Sequence, residues 1–235
     1  MTGSDCLAEL TVVIPSYERK AFLERQISVW GATPAKIEIL DGSAQAWQRL
    51  GGGPLPDNIT YWHMPRSIEA RLGFAAERIR TTYAVLLSDD EFFLPSALTS
   101  CIAELERRPD LVACKGLALG FDATANGVTG FPMYPALRGY RLVQALPAER
   151  VTAHMSQYSM ATLWAVMRCD VFRKTMTALS TGPFACAAAG EIQVSLIAAW
   201  SGKCDVIDEL MWLRSRENKN VWGKSGPLTF HRWYS

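Results

Sequence analysis

The stretch YAVLLSDDEFFLP, residues 83–95, is an apolar run of strand length that ends in three adjacent acids, Asp89, Asp90 and Glu91. A buried strand with acidic side chains at its carboxyl end is typical of open α/β sheets, which bind ligands at that edge. Three like charges side by side cost free energy unless a cation or hydrogen-bond donors compensate them. The stretch therefore predicts a strand of an α/β sheet with a polar site at its end.

The three acids suit a hard divalent cation, Mg²⁺ or Mn²⁺. Magnesium sites commonly combine one or two carboxylates with phosphate oxygens of a substrate, so the cluster is typical of a metal–diphosphate site. The acids also fit a second interpretation, in which they form the acidic first turn of a helix after Pro95, where the helix dipole favours them. The residues alone leave both interpretations open.

The composition predicts one sizeable soluble domain, or one domain with an appendage. The chain has 235 residues, of which 49% are apolar, and a formal net charge of +1, which is enough apolar material for a substantial core. No basic face dominates the chain, and this argues against general nucleic-acid binding. No apolar run reaches the ~18 residues of a membrane span and no secretory leader opens the chain, so we expect any membrane contact to be peripheral.

Two further features bear on the cellular setting. The six cysteines include no C-x-x-C pair and lie mostly in apolar segments, where reduced cysteines behave as small hydrophobes. We therefore expect a cytoplasmic protein. Residues 214–235 carry five Lys or Arg side chains against one acid, and such a tail suits phosphates or the anionic inner face of a membrane.

Hydrophobic periodicity predicts strands that alternate with helices. The predicted strands are Leu10–Ser16, Lys36–Asp41, 58–64, 83–87, 111–119, 160–167 and 205–208. The predicted helices are 20–32, 67–79 with Ser67 as its cap, 96–108 and 191–202. Residues 120–147 lack clear periodicity, and an irregular segment of this length is often a substrate-facing excursion. The alternation predicts an α/β fold with a mostly parallel, Rossmann-like sheet flanked by helices.

Six motifs occur in an order and spacing that is more specific than any one of them. The motifs are TVVIPSYER (11–19), ILDGS (39–43), LLSDDEFFLP (86–95), AVMRCDVF (165–172), GEIQVSLIAAWSGK (190–203) and LMWLRSREN (210–218). Through them the chain resembles the inverting, nucleotide-sugar-dependent glycosyltransferases of family 2, which have the GT-A fold. The resemblance covers roughly residues 10–218.

The resemblance implies one GT-A domain over residues 1–235, with a nucleotide-binding half at about 8–120 and an acceptor-binding half at about 121–235. It also implies Mn²⁺ or Mg²⁺ as cofactor and a nucleoside-diphosphate sugar as donor, with a UDP-sugar favoured. The acceptor would be a hydroxyl of a glycan or of a lipid-linked sugar. An oligomer and a peripheral membrane contact at the inner face are compatible with it.

On the donor side, the resemblance implies roles for residues at the ends of the first two strands. Pro15, Tyr17 and Arg19 match the loop that wraps the nucleobase and ribose. Asp41 matches the acid that hydrogen-bonds the base. An ordinary Asp-Gly turn also explains Asp41. Aspartate favours turns because its side chain accepts a hydrogen bond from the backbone two residues on, and glycine favours them because it adopts positive φ without steric cost.

The acidic stretch matches the family's D-x-D region with one departure, since Ser88 stands where the first aspartate is usual. The resemblance therefore implies that Asp90 is the direct metal ligand, with Asp89 or Glu91 contacting the ribose or metal-bound water. On this basis we assign Asp89 to the nucleotide and Glu91, together with Asp90, to the metal. His231 matches a late histidine that completes the metal shell in some GT-A enzymes. A histidine near a terminus is also a common surface residue.

Glu191 matches the glutamate of the family's E-D pair, whose aspartate is Ile192 here. The resemblance implies that Glu191 is the general base, although a polar residue on an exposed helix face would have the same spacing. Arg214 and Arg216 match the basic segment that approaches the diphosphate, where the planar guanidinium binds phosphate oxygens with two parallel bonds. A solvated charged loop is the alternative for both arginines.

Two other functions fit parts of the pattern. A sugar-nucleotide nucleotidyltransferase would also place paired acids at the end of a strand, but it would normally have a glycine-rich basic loop where this chain has PSYERK. A non-catalytic relative that only binds nucleotide or carbohydrate is consistent with the departures at Ser88 and Ile192. The chain has no P-loop lysine, no G-x-S-x-G elbow and no zinc-ligand spacing, which excludes those chemistries.

Overall fold

A computed structural model describes residues 6–48, 53–159, 162–181 and 187–217 of the chain. The strands are β1 (Leu10–Ser16), β2 (Lys36–Asp41), β3 (Ile59–His63), β4 (Tyr83–Leu86), β5 (Phe92–Phe93), β6 (Leu111–Thr124), β7 (Gly127–Met133), β8 (Arg141–Leu142), β9 (Val166–Arg168) and β10 (Lys203–Ser215). The helices are α1 (Lys20–Trp30), α2 (Ile68–Arg78), α3 (Pro95–Arg107), α4 (Pro147–Ser156), α5 (Cys169–Ser180) and α6 (Ala187–Ser201).

The described strands form one sheet in the order β3-β2-β1-β4-β9-β6-β10-β5, with β7 beside β6 and β8 beside β10. β1 is parallel to β2 and β4, and β2 is parallel to β3. β9 is antiparallel to both β4 and β6, so β6 and its parallel neighbour β10 run in the direction of β4. The carboxyl ends of β1 to β4, β6 and β10 therefore share one edge. The predicted α/β fold with a mostly parallel sheet is confirmed.

Both faces of the sheet are covered, and β1 shows how the sequence achieves this. Val12 and Ile14 belong to one apolar cluster, and Val13 belongs to the other, because successive side chains of a strand point to opposite faces. Helices α1 and α3 pack into the first cluster, whereas α2, α5 and α6 pack into the second. A strand buried on both faces must be apolar throughout, and this explains the continuous run in β1.

Two helix starts follow the predicted chemistry. The Ser67 hydroxyl accepts a hydrogen bond from the Ala70 amide at 3.3 Å and caps α2, as predicted. Pro95 is the first residue of α3, a position where its missing N–H leaves no partner unsatisfied. The acidic turn thus lies between β4 and α3 and is separated from the helix by the short strand β5.

The prediction of an irregular segment at 120–147 is wrong for much of that range. β6 continues to Thr124, and the chain then turns into β7, which pairs antiparallel with β6. Thr124 of β6 lies opposite Gly127 of β7. Gly127 has a φ of +132°, which glycine adopts without steric cost. The side chains around this turn are exposed, so no apolar alternation marks the hairpin in the sequence.

The last predicted strand, 205–208, is also longer in the structure. β10 extends over Lys203–Ser215 and pairs with β6 with register shifts between Val206 and Leu210. Such irregularities break the two-residue period that marks a strand in sequence. The predicted strand 160–167 is represented by the short β9, and residues 160–161 lie outside the described residues.

None of the helices within the described residues is long and apolar enough to cross a membrane. The cysteines in those residues, Cys6, Cys101, Cys114, Cys169 and Cys204, are buried free thiols. Cys186 lies outside the described residues.

His154 on α4 is fully buried, and its Nδ1 lies 2.5 Å from the Tyr140 hydroxyl. Burial lowers the pKa of His154, so between its unfolded and folded pKa values the unfolded chain binds one more proton. We expect this contribution to stability to be complete above pH ~6.5 and to be lost as the pH falls, by at most about 1.4 kcal/mol per pH unit. Urea unfolding at pH 7.5 and pH 5.5 should show a smaller acid-side loss in His154→Gln than in the wild type. Equal losses would contradict the role of His154.

Candidate functional site

The carboxyl edge of the sheet brings the ends of β1, β2 and β4 together. A small pocket at this edge is lined by Ser16, Arg19, Lys20, Leu23, Asp41, Ser43, Gln45 and Trp47. Ser16 and Asp41 are paired at the ends of the parallel strands β1 and β2, and Ser16 donates a hydrogen bond of 2.7 Å to Asp89, which follows β4. Three segments that are distant in sequence thus supply one polar site.

Asp89 is buried and its carboxylate is held by two side chains of the β1 loop. Ser16 Oγ donates to Oδ2 and Arg19 Nη1 donates to Oδ1, both at 2.7 Å. Burial raises the pKa of Asp89, and the Ser16 hydrogen bond and the Arg19 charge oppose that rise. Asp89 therefore anchors the Arg19 guanidinium at the edge of the sheet. Its predicted contact with a ribose stays a prediction.

Asp90 and Glu91 have different surroundings although they are neighbours. Asp90 Oδ1 lies 3.8 Å from Arg19 Nη1, beyond hydrogen-bond distance. Glu91 accepts a hydrogen bond from Trp212 Nε1 at 2.7 Å and lies 3.2 Å from Arg214 Nε. Burial raises the pKa of Glu91 to about 7, against the lowering effects of Arg214 and Trp212.

These contacts bear on the two interpretations of the acidic stretch. No acid lies in the first turn of α3, so the stretch is not the acidic start of that helix. Within the described residues, no group of three or more His, Cys, Asp or Glu side chains converges on one point that could hold a metal. Glu91 contacts β10 as an anchor for Arg214, and its role as a metal ligand stays a prediction.

Arg214, on β10, lies next to two aromatic rings, those of Trp212 and Tyr134. Its guanidinium carbon is 5.3 Å from the centre of the Trp212 ring and 5.5 Å from that of Tyr134. Tyr134 and Trp212 stack at 5.4 Å. The fully buried Lys115 places its ammonium 4.0 Å from the Trp212 ring centre, and burial lowers the pKa of Lys115. The cation–π contacts hold the Arg214 side chain beside Glu91.

Asp41 is buried at the end of β2 and accepts hydrogen bonds on both oxygens. The Ser43 amide donates to Oδ1 at 2.9 Å and the Tyr61 hydroxyl donates to Oδ2 at 2.7 Å. The bond from the Ser43 amide is that of an Asx turn. Asp41 therefore has the turn role that the Asp-Gly sequence suggested. The Tyr61 bond comes from β3 and was not predicted. The predicted contact of Asp41 with a nucleobase stays a prediction.

Arg71 is a buried residue of the site that the sequence does not single out. It is buried on α2, and its Nη1 donates to the Ser16 carbonyl at 2.7 Å and to the Leu40 carbonyl. A Cβ at Gly42 would lie 2.6 Å from the Arg71 guanidinium carbon, so glycine leaves the room that Arg71 occupies. Arg71 joins the carboxyl ends of β1 and β2. In the sequence it is one more arginine on an amphipathic helix, and no local signal distinguishes it.

The loop after β1 contains a strained residue, Glu18, with a φ of +55°. The Glu18 amide donates to Ser43 Oγ at 2.7 Å, and its carboxylate accepts from the Ala44 amide at 2.9 Å. Left-handed backbone at a non-glycine residue persists only where surrounding contacts impose it, and such residues cluster at functional sites. The loop is thus tied to the end of β2 and forms one wall of the pocket.

Glu191 lies within α6, which begins at Ala187, four residues earlier than predicted. Its side chain is half-buried, and burial raises its pKa. Glu191 interacts electrostatically with Tyr158. One turn later, Ser195 accepts a hydrogen bond of 2.7 Å from Thr162. Glu191 is therefore not an exposed polar residue of a solvated helix face.

A path of contacts connects α6 to the acidic turn. Thr162 lies two residues before Trp164, and the ring centres of Trp164 and Trp212 are 5.5 Å apart. Trp212 in turn donates to Glu91. The second half of the chain thus packs against the acidic turn through two tryptophans.

The remaining predicted residues lie as follows. Pro15 is half-buried within β1, and Tyr17 is 58% exposed in the loop that follows. Arg216 forms an ion pair with Asp122 of the hairpin, and its guanidinium carbon lies 4.0 Å from the centre of the Phe131 ring. The structure therefore directs Arg216 to the hairpin rather than to Glu91. His231 lies outside the described residues.

The chain shares its fold with S. aureus TarS. A crystal structure of TarS residues 1–349 in complex with UDP-GlcNAc superposes with a TM-score of 0.61 and 11% sequence identity over 90% of this chain. Another crystal structure of TarS residues 1–349 gives a TM-score of 0.57 at 11% identity over 88% of the chain. The complex with UDP gives 0.56 at 9% identity, also over 88%.

The chain spans about three fifths of these solved TarS structures, namely 59% of the UDP-GlcNAc complex and 60% of the other two. No model of a known protein family matches the chain, and no curated protein matches it in sequence. At such low identity the likeness establishes the fold, and function must be argued from the site.

Proposed function

We propose that the chain is an inverting glycosyltransferase that moves a sugar from a nucleoside-diphosphate sugar, by preference a UDP-sugar, to a hydroxyl acceptor in glycan or polysaccharide biosynthesis. One observation carries the proposal. The buried acids Asp41 and Asp89 and the adjacent Asp90 lie at the carboxyl edge of the sheet, on a fold shared with a protein crystallised with UDP-GlcNAc and with UDP. In open α/β sheets this edge is where nucleotides bind.

The donor nucleotide would lie across the ends of β1 and β2. Asp41 would accept a hydrogen bond from an N–H of the base, and Tyr61 and Ser43 already fix the orientation of its carboxylate. Arg19, anchored by Asp89, would contribute positive charge next to the phosphates. Tyr17 is exposed above this edge and is available to contact the base or ribose.

A divalent cation, Mn²⁺ or Mg²⁺, is proposed as the cofactor, and Asp90 would hold it. The residues fit a site with a single protein carboxylate, because magnesium is commonly bound through one or two carboxylates together with substrate phosphates. They do not form an all-protein cage. When bound, the cation would neutralise the charge that develops on the departing diphosphate.

Arg214 would stabilise the same leaving group through its positive charge. Glu91, Trp212 and Tyr134 hold its guanidinium in place before substrate binds, and preorganised charge of this kind is effective in catalysis. Glu191 on α6 would accept the proton of the acceptor hydroxyl as that oxygen attacks the anomeric carbon. A single in-line displacement inverts the configuration at that carbon and needs no covalent enzyme intermediate.

Arg214 and Arg216 lie in the same sequence motif but should behave differently. We expect Arg214→Ala to lower kcat by about 10²-fold, the order found when one preorganised donor to a developing anion is removed. Arg216→Ala should change kcat less than about threefold, because exposed ion pairs contribute little and Arg216 pairs with Asp122. Steady-state kinetics of both variants tests this, and equal losses would contradict the assignment.

The proposal is tested first by ligand-induced stabilisation. UDP, GDP and CDP and their sugar conjugates are each added with and without Mn²⁺, and a ligand at ~100 times its Kd should stabilise the fold by roughly 2.7 kcal/mol. Stabilisation by one diphosphate in the presence of metal names the donor nucleotide. Proton NMR of the product made from that donor then reports whether the anomeric configuration is inverted.

Two further assays, one with nucleoside triphosphates and one with glycan or lipid-linked acceptors, separate the alternatives. Binding of a nucleoside triphosphate with release of pyrophosphate would identify a nucleotidyltransferase instead. Nucleotide binding without turnover on any glycan or lipid-linked acceptor would identify a non-catalytic relative. The cytoplasmic location, the peripheral membrane contact and an oligomeric state remain predictions beside the proposed activity.

A further inference from the structure

The backbone of the acidic turn is held by two neighbouring side chains of α1. Gln26 Nε2 donates to the Asp89 carbonyl at 2.9 Å and to the Glu91 carbonyl at 2.7 Å. Arg25 Nη2 donates to the Asp90 carbonyl between them at 3.1 Å. Three consecutive peptide carbonyls are thus bound to one helix, and this fixes the orientation of the three peptide planes.

Gln26 is itself held in one orientation. It is fully buried, and its Oε1 accepts a hydrogen bond of 2.9 Å from Nε1 of the fully buried Trp30. The Trp30 bond identifies Oε1 as the acceptor and so directs both Nε2 hydrogens towards the acidic turn. A buried amide is costly unless it is hydrogen-bonded, and here the two protons of Gln26 go only to the acidic turn.

Arg25 connects the turn to the end of β10. Its guanidinium carbon lies 4.7 Å from the centre of the Phe22 ring and 4.8 Å from that of Phe92. Nη1 of the same guanidinium pairs with Glu217 at 2.8 Å, two residues beyond β10. The position of Arg25 is therefore set by aromatic contacts on both sides and by an ion pair at its exposed end.

The side chains of the turn are held separately from its backbone. Asp89 is bound by Ser16 and Arg19, and Glu91 is bound by Trp212. The orientation of the peptide planes on both sides of Asp90 sets the direction of its Cα–Cβ bond. Fixing the carbonyls of the turn therefore places the Asp90 carboxylate relative to the pocket.

We propose that Gln26 and Arg25 are positioning residues of the metal–diphosphate site, which hold Asp90 where it can bind the cation together with the donor diphosphate. This inference rests on the proposed function. It does not make either residue a ligand, because both act through the backbone of the acidic turn. Residues that orient a metal ligand typically contribute 10- to 100-fold to metal affinity.

The test measures Mn²⁺ affinity in the presence of UDP by electron paramagnetic resonance, and UDP affinity in EDTA by calorimetry. We expect Gln26→Met to weaken Mn²⁺ binding about 10- to 100-fold and Arg25→Met to weaken it about tenfold. UDP binding in EDTA should change less than about twofold in both variants. Glu217→Gln is the matched control, since glutamine removes the charge of the Arg25 partner but can still accept its hydrogen bond. The aromatic contacts and the bond to the Asp90 carbonyl stay in place, and the Mn²⁺ affinity should equal that of the wild type.

The outcomes separate the two proposals. If the wild type shows no Mn²⁺-dependent UDP binding, the proposed metal–diphosphate site is wrong, and the positioning role is wrong with it. If the wild type binds Mn²⁺ with UDP and Arg25→Met binds it equally well, only the positioning role is wrong. Should Gln26→Met fail to fold by circular dichroism, Arg25→Met decides the question, because Arg25 is partly exposed and its loss leaves the core intact. A parallel loss of metal-free UDP binding would indicate general distortion and would also overturn the positioning role.

Discussion

Replacing Glu191 with glutamine is expected to reduce kcat by about 10²- to 10⁴-fold, which is the usual contribution of a general base. Nucleotide binding should be retained, because Glu191 lies on α6 and the pocket proposed to bind the nucleotide lies at the ends of β1 and β2. Glutamine has the same shape as glutamate but cannot accept the proton of the acceptor hydroxyl. Turnover with a UDP-sugar, measured as UDP release, and UDP affinity by calorimetry together test this expectation.

The same substitution should stabilise the fold at neutral pH. Burial raises the pKa of Glu191 above 4.5, so the folded protein holds its proton to a higher pH than the unfolded chain does. The resulting contribution to stability is complete below pH ~4.5 and is lost as the pH rises through the folded pKa. Thermal unfolding at pH 5 and pH 8 should therefore show that Glu191→Gln gains on the wild type at the higher pH.

Glu106→Gln is a suitable control, because Glu106 is an exposed residue of α3. It should leave both turnover and the pH dependence of unfolding unchanged. Full turnover in Glu191→Gln would remove Glu191 as the base. An unchanged melting temperature at pH 8 would show instead that the buried carboxylate is compensated by solvent.

Replacing Asp90 with asparagine is expected to abolish the metal-dependent part of UDP binding. Asparagine keeps the volume of the side chain but removes the charge that a hard cation requires. Where UDP with Mn²⁺ at ~100 times its Kd stabilises the wild type by roughly 2.7 kcal/mol, the variant should show the smaller stabilisation seen with UDP alone. Thermal shifts with UDP, with and without Mn²⁺, measure this difference directly.

Asp110→Asn is the matched control for that experiment, since Asp110 directly precedes β6 and pairs with Lys203, the first residue of β10, at the opposite edge of the sheet. It should respond to UDP and Mn²⁺ like the wild type. A normal response in Asp90→Asn would mean that another group holds the cation, and Glu91→Gln would then be the next variant to examine.

Prediction from sequence worked best where the chain itself carries the signal. The buried strands at Leu10–Ser16 and Lys36–Asp41 are apolar runs, and Ser67 and Pro95 mark helix starts through local chemistry. It failed for the hairpin formed by β6 and β7, whose exposed residues give no alternation. Most of β10 was not predicted either, because its register shifts interrupt the two-residue alternation that marks a strand.

The site shows the same division. Adjacent acids after an apolar strand are visible in any sequence, and the structure has Asp89, Asp90 and Glu91 at the carboxyl end of β4, as that pattern predicts. The partners of these acids were not visible, because Gln26 is separated from Asp89 by 63 positions and Trp212 from Glu91 by 121. No local pattern reports contacts over such distances. The difference between Arg214 and Arg216 likewise depends on the segment that each one contacts. Arg214 pairs with Glu91 of the acidic turn, whereas Arg216 pairs with Asp122 of the hairpin.

The sequence by itself thus determined that this protein is an α/β protein with acids at the carboxyl end of a central strand, because burial on both faces of a sheet demands continuous apolar runs and a polar edge. Only the tertiary structure decided the partners of these acids, because Asp89, the Asp90 carbonyl and Glu91 are bound by donors on β1, α1 and β10. The physical reason is that hydrogen bonds and ion pairs depend on distances of a few ångströms between segments that only folding brings together.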